Sequence, residues 1–358
     1  MNIPDLPTPA LVLDAARLDA NIRYMADRTR ALGVRLRPHL KTHKCVEVAE
    51  RQRAAGARGV TVATLYEATV FADHGFDDVT WAFPLILSRL DETRRLADRI
   101  TLRLTVDSAE AVDALEATGH PFHVWLKIDC GYHRAGLDPA RPETLALARR
   151  LAGSRALAFD GLLTHSGHAY HEPTLEGRRR VAEAERRAVA DLRARLAGEG
   201  ITVEASVGST PGMTAVASLE GVNEARPGNY VFYDAMQVAL ETCRPDDVAV
   251  TVLSSVVSAP AGQDHVVIDA GALALSKDTG GATPPHYGTV LAADGSAIPG
   301  AVVRSVSQEH GMVTARLKVG DRVRVVPVHS CLTAACHDEY AVVQGDRVVD
   351  RWKIWRGR

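Results

Sequence analysis

A lysine placed where a strand ends is a chemical opportunity. The strand-like run Val34-Arg35-Leu36-Arg37-Pro38-His39-Leu40 is followed directly by Lys41-Thr42-His43-Lys44. Strands ordinarily give way to turn formers. An amine held there away from water loses the solvation that keeps it protonated, so its pKa falls. The neutral amine is nucleophilic enough to form a Schiff base with an aldehyde. Taken alone, the segment also fits a surface lysine in a basic loop, and His39 with His43 is a weak H-x-x-x-H metal pattern.

Other segments offer complementary chemistry. Lys127-Ile128-Asp129-Cys130-Gly131-Tyr132-His133-Arg134-Ala135-Gly136 has two glycines that allow a tight turn, with Arg134 available to an anion or a phenolate oxygen. Thr164-His165-Ser166-Gly167-His168-Ala169-Tyr170 closes a further strand-like run. Val207-Gly208-Ser209-Thr210-Pro211-Gly212 supplies backbone N–H groups and two hydroxyls just before a predicted helix, an arrangement that suits a phosphate. Arg226-Pro227-Gly228-Asn229-Tyr230 adds a second donor-rich turn. Each is ordinary alone. A strand-end lysine with two phosphate-type loops meets the needs of pyridoxal 5′-phosphate, which takes a covalent anchor, a phosphate anchor and a ring partner.

A last cluster is Val326-Pro327-Val328-His329-Ser330-Cys331. On a strand, residues two apart share a face, so His329 and Cys331 can ligate one metal, and imidazole with thiolate suits Zn²⁺. A buried cysteine beside a hydrogen-bonded histidine is the plainer alternative. Cys336, His337, Asp338 and Glu339 follow closely enough to offer a further ligand.

These residues act together only if the fold gathers them. A helical pattern at 15–32 follows a short strand at 10–13. Strand-like runs then alternate with amphipathic, Ala-rich stretches at 34–40, 59–64, 78–84, 101–106, 122–129, 156–165, 201–208 and 224–233. Strand–helix alternation implies right-handed crossovers and a parallel sheet. Eight such units predict an α/β chain with a (β/α)₈ TIM barrel, whose chemistry gathers at the C-terminal strand ends where every segment above lies. An open doubly wound sheet is weaker, because no G-x-G-x-x-G follows the first strand. After residue 244 the runs are short, β-type and broken by Gly, Asp and Pro, which predicts an all-β domain. The expected division is residues 14–243 for the barrel, with 1–13 and 244–358 forming the β-domain that carries the metal candidates.

Composition narrows the partners. The 358 residues carry 42 Lys and Arg against 44 Asp and Glu, and 46% are hydrophobic, which excludes a disordered chain and a simple basic nucleic-acid binder. Five scattered cysteines do not read as a disulfide framework, and no basic and apolar leader is apparent, so a cytoplasmic location is expected. No run reaches membrane-spanning length. The Arg-rich stretch at 177–180 reads as a solvated helix face.

With these segments together, the chain resembles the alanine-racemase-like fold III pyridoxal-phosphate enzymes, and within them the D-serine dehydratase and D-threonine aldolase family. The resemblance runs nearly the whole length. RPHLKTHK at 37–44 is similar to the family's cofactor-lysine segment, which implies that Lys41 is both the catalytic residue and the cofactor's anchor. LKIDCGYHRAG at 126–136 is similar to the racemase K-x-D-x-G-x-x-R-x-G segment and implies Arg134 near the cofactor's phenolic oxygen. The resemblance also implies His165 against the ring with Tyr170 close by, and Ser209, Thr210, Gly228 and Asn229 at the phosphate. Arg226 coincides with the racemase arginine that faces the pyridine nitrogen. The racemase's Ala-Tyr-Gly lysine segment and a second-base tyrosine are missing, which argues against racemisation. In this family the dehydratases carry H-x-C for Zn²⁺, whereas the aldolases carry H-x-D for a harder ion such as Mn²⁺. The implied activity is therefore a metal- and pyridoxal-phosphate-dependent dehydratase of a D-β-hydroxy amino acid, with D-serine to pyruvate and ammonia as first choice. A D-threonine or 3-hydroxy-D-amino-acid aldolase is the alternative. A non-catalytic pyridoxal-phosphate homeostasis protein is a third, disfavoured by the extra β-domain. The resemblance also implies a homodimer with a small-molecule substrate, and neither nucleic acid nor membrane as partner.

Overall fold

The structure is a computed structural model that describes residues 2–281 and 285–357. Its strands, in chain order, are β1 (Ala10–Asp14), β2 (Arg35–Leu36), β3 (Val60–Val62), β4 (Asp78–Pro84), β5 (Thr101–Val106), β6 (His123–Lys127), β7 (Ala158–Leu163), β8 (Glu204–Val207) and β9 (Glu224–Ala225). They continue as β10 (Val250–Ser258), β11 (Val266–Ile268), β12 (Gly288–Ala292), β13 (Ala297–Val306), β14 (Gly311–Val313), β15 (Arg322–Pro327), β16 (Glu339–Gln344) and β17 (Arg347–Lys353). The chain divides into two compact units. One is built from Tyr24–Lys41 and Val48–Gly228, the other from the N-terminal residues to Arg23 with Thr42–Glu47 and Asn229–Arg356.

The first unit holds the eight parallel strands in the order β2-β9-β8-β7-β6-β5-β4-β3. The end strands meet through a parallel bridge between His39 and Thr61, with Thr61 N donating to Pro38 O at 2.9 Å. This is the expected TIM-like architecture. Two strands, Asp78–Pro84 and Thr101–Val106, match their predicted spans, whereas β2 and β9 shrink to two residues each. Pro38 and Pro227 explain the shortening, since a proline cannot donate to the ladder. Beyond Pro227 the predicted strand becomes a 3₁₀ turn at Asn229–Val231.

Helices at Ala109–Ala117 and Leu175–Gly198 start at Ser108 and Thr174, whose hydroxyls accept the N–H three residues on. Strand residues such as Leu102, Leu104, Val124 and Leu126 are buried, all 2% exposed or less. The interior is polar by contrast. Arg37 donates to Glu224 at 2.6 Å and to both oxygens of Asp78 at 2.8 Å, while Ser206 donates to Glu224 at 2.7 Å. Arg178 corrects the reading of the Arg-rich stretch. It is buried, donating to the carbonyls of Glu172 and Pro173 at 3.1 and 3.0 Å, and in this stretch Arg179 and Arg180 face solvent.

The second unit is a sheet in the order β11-β14-β13-β12-β15-β10-β1-β16-β17, with a further β10–β11 pairing. β1 runs antiparallel to β10 and parallel to β16, so the N-terminal strand is sewn between two strands from the end of the chain.

Candidate active site

Lys41 lies two residues past the bridge that joins the barrel's end strands, in the 3₁₀ turn Leu40–Thr42, and its side chain is half-buried. His39 Nδ1 accepts from Lys41 N at 3.4 Å. Burial, then the positive charge of Lys41, hold His39 well below the usual imidazole range. His165, two residues after β7, donates from Nδ1 to Gly208 O at 2.8 Å. Burial, then Lys41 and Lys127, hold it low as well. Both rings are therefore neutral, with tautomers set by their partners.

Sequence reasoning passed over Lys127, quoting it only as part of a motif. It ends β6, is buried, and burial followed by the charges of Arg226 and Arg134 brings its amine down to about 7. Arg226 is buried too and donates to Ser206 Oγ and Thr164 O; burial lowers it to about 10. The structure thus brings Lys41, His39, Lys127, His165 and Arg226 into one electrostatic cluster at the C-terminal strand ends. Arg134 is exposed, its guanidinium 5.1 Å from the Tyr132 ring centroid, yet its charge acts on Lys127 and His165. Tyr170 is half-buried in the turn Gly167–His171.

The donor-rich loop after β8 is tightly made. Gly208 has φ +136, and a Cβ there would lie 2.7 Å from Arg226 N, so only glycine fits. Ser209 caps the helix Thr210–Ala215, accepting from Gly212 N at 3.1 Å. Glu185, on the helix Leu175–Gly198, accepts from Ser166 N at 2.9 Å, Ser166 Oγ at 2.8 Å and Gly208 N at 3.1 Å. The sequence carried a signal for it. Glu185 interrupts a stripe of buried residues, Val181, Val189, Leu192 and Leu196, where an apolar side chain belongs.

In the other unit, β15 ends at Pro327, and His329 caps a short helix Ser330–Ala334 that contains Cys331. The pair is therefore not displayed by a strand face, as the spacing predicted, but by a helix start. The two side chains still hydrogen-bond each other. His329 Nδ1 donates to Asp278 Oδ2 at 2.7 Å. Burial opposes its charge, but Cys331 and Asp278 push it up to about 11. Cys331 Sγ lies 3.2 Å from Thr42 Oγ1 and 3.7 Å from Asn229 Nδ2. The Asn229 amide also donates to Asp234 at 2.7 Å and Ser330 Oγ at 3.0 Å, so it is spent on the turn that carries His329 and Cys331.

The other metal candidates point elsewhere. His43 is buried, accepts from Cys45 N at 3.1 Å and packs edge-on to Phe232. His337 Nε2 donates to Ala274 O at 3.0 Å, and Cys336 Sγ to Leu332 O at 3.4 Å. Among the described residues no group of three or more His, Cys, Asp or Glu is gathered for a metal.

Comparison with known proteins decides the family. Residues 13–235 match the alanine racemase N-terminal domain, and residues 249–343 a putative serine dehydratase domain. The chain is 38% identical to D-threo-3-hydroxyaspartate dehydratase of Delftia sp. (strain HT23), over 98% of both chains. It is 34% identical to the D-serine dehydratase of Dictyostelium discoideum, over 97% of this chain and 96% of that one. The chain belongs to the alanine-racemase-like pyridoxal-phosphate lyases that include the D-serine dehydratases.

The solved Delftia dehydratase superposes on this lyase with a TM-score of 0.95 at 36% identity, each chain covered completely. Two further solved structures of D-threo-3-hydroxyaspartate dehydratase are a histidine-to-alanine variant and a cysteine-to-alanine variant in the metal-free form. The two substitutions lie two positions apart, as His329 and Cys331 do here.

The lyase's own residues fit both implied groups. For pyridoxal phosphate there is a strand-end lysine beside neutral histidines, and a loop at Gly208 with no room for a side chain. Trp125, two residues before Lys127 on β6, also has a buried indole N–H without a partner. For a divalent metal, Asp278 occupies His329 Nδ1 and leaves Nε2 to coordinate, the usual carboxylate–histidine support.

Proposed function

We propose that this lyase removes water from a D-β-hydroxy amino acid, with D-serine as first candidate, and that hydrolysis of the resulting enamine takes one water back, leaving pyruvate and ammonia. The observation that carries this reading is the His329–Cys331 pair, backed by Asp278 and offering soft nitrogen and sulfur donors. Pyridoxal phosphate, when bound, supplies an electron sink for the charge that develops at the substrate's α-carbon.

The chain's residues divide the remaining work. Lys41 Nζ would anchor the cofactor, and its free amine would take the α-proton as general base. A single lysine serves one face of the α-carbon, so L-serine is inert. His165, fixed on Gly208 O, presents a neutral ring to the cofactor, with Tyr170 close by. Arg134 serves the phenolic oxygen and Arg226 the opposite end of the ring. The loops at Gly208–Thr210 and Gly228–Asn229 take the phosphate, Asn229 through its main chain because its amide is engaged. His329 and Cys331 would hold a divalent ion, Zn²⁺ by the softness of sulfur with Mn²⁺ as the harder alternative. The ion would supply Lewis acidity for the β-hydroxyl, since hydroxide leaves poorly unaided. The protein acts as a homodimer.

The test incubates purified protein with D-serine, L-serine, D-threonine and D-threo-3-hydroxyaspartate, then separates the products. Keto acid and ammonia from the D-substrates alone support the proposal. Glycine and an aldehyde from D-threonine, with no keto acid from D-serine, replace it with the aldolase reading. That reading is favoured by 31% identity to the D-threonine aldolase of Arthrobacter sp..

A further inference from the structure

We propose that Glu185 is a positioning residue for the phosphate loops: its carboxylate ties the main chain of the loops after β7 and β8 together, and in doing so it turns the Ser209 hydroxyl away from the anion. The inference rests on the reading that the lyase binds pyridoxal 5′-phosphate.

Proton accounting sets the direction. Ser166 has one hydroxyl proton, and it goes to Glu185 Oε2 at 2.8 Å. At the 3.1 Å contact between Ser166 Oγ and Ser209 Oγ, Ser209 must therefore be the donor. Ser209 Oγ in turn accepts from Gly212 N at 3.1 Å. The only proton on Ser209 thus points inward, towards Ser166. A phosphate dianion offers acceptors alone, so the Ser209 hydroxyl cannot serve it while this relay stands. Anion binding falls to other donors of the loop, its main chain first.

The same carboxylate holds that main chain in place. Glu185 Oε1 accepts from Ser166 N after β7 and from Gly208 N after β8, which ties two loops to one side chain. Ser166, Ser209 and Glu185 are 0%, 2% and 3% exposed, so water does not substitute for the lost bonds. Packing leaves no slack either, since a Cβ on Gly212 would lie 2.8 Å from Ser209 Oγ. Three donors on one buried carboxylate offset the cost of burying its charge near an anion.

The experiment compares pyridoxal 5′-phosphate with pyridoxal, which lacks the phosphate, as ligands of the full chain freed of cofactor. The readout is the ratio of the two dissociation constants. Glu185→Ala and the shorter Glu185→Asp are expected to cut that ratio about tenfold, the scale of losing bonds to a buried acceptor, while pyridoxal affinity holds. Glu185→Gln keeps the length and an oxygen that accepts both backbone N–H groups, so it should retain most of the ratio. Ser166→Ala cuts the relay but spares Glu185's bond to Gly208 N, and it should retain the ratio as well. An unchanged ratio in Glu185→Asp, or equal loss of both ligands, overturns the positioning role. A tenfold loss in Ser166→Ala overturns the relay and places the anion on the hydroxyls. A native chain that does not distinguish the two ligands instead defeats the cofactor reading itself.

Discussion

Two lysines at the barrel's strand ends differ: Lys41 is the proposed anchor, whereas Lys127 is a buried amine. Lys41 follows β2 beside neutral His39 and His165, and Lys41→Ala should lose both turnover and the visible absorption of bound cofactor. Borohydride trapping followed by peptide mapping checks the site, and a label on Lys44 or Lys127 would move it. Lys127 makes a different prediction. Burial and the charges of Arg226 and Arg134 lower its amine from 10.5 to about 7. Between those values the unfolded chain binds more protons than the folded one, so native stability rises with pH across that window. Every tenfold loss of proton affinity on folding costs about 1.4 kcal/mol. In the cofactor-free protein, Lys127→Met should therefore stabilise at pH 7 and lose its advantage as the pH approaches 10.5. Denaturant melts at several pH values report it, and parallel profiles for native and variant would contradict it.

At the scale of elements, short turns decide where reactive atoms sit. Gly208 lies at φ +136 against Arg226 N, and Glu185 holds its N–H. Gly208→Ala should weaken cofactor binding more than its helix- or strand-level consequences would imply, which equilibrium dialysis measures. Asp278 supports His329 from outside β15, so Asp278→Asn should weaken the metal about tenfold or more while the pair itself remains. Zn²⁺ titration with a competing chelator checks that. The alternation of strands and helices was legible because the hydrophobic rhythm recurs through eight strand units and several of the helices end at a glycine. The ends of β2 and β9 were not, because the hydrophobic run continues past prolines that end the ladder. His329 and Cys331 were expected on one strand face, whereas they lie at a helix start, because β15 ends at Pro327. Glu185 and Arg178 escaped because a charged residue in a helical repeat reads as solvated until its neighbours are known to be buried.

The whole molecule separates its two chemistries between units. Lys41 and the loop at Gly208–Gly212 belong to the barrel unit, whereas His329, Cys331, Asp278 and Asn229 belong to the other. The two domain-family matches, over 13–235 and 249–343, likewise separate Lys41 and Gly208–Gly212 from His329, Cys331 and Asp278, with Asn229 falling in the first match. On the proposed reading the His329–Cys331 pair takes no part in anchoring the cofactor, and the barrel's lysines take none in holding the metal. Exhaustive chelation should accordingly abolish dehydration of D-serine while leaving the cofactor's visible spectrum in place. His329→Ala should copy that behaviour, and readdition of Zn²⁺ should restore the native protein but not the variant. The magnitude expected is large, because an unassisted hydroxide leaving group forfeits several kcal/mol of charge stabilisation. Loss of the visible band on chelation would mean that metal and cofactor sites are coupled. Full activity after chelation would remove the metal from the mechanism and leave the β-hydroxyl to be activated by a protein acid.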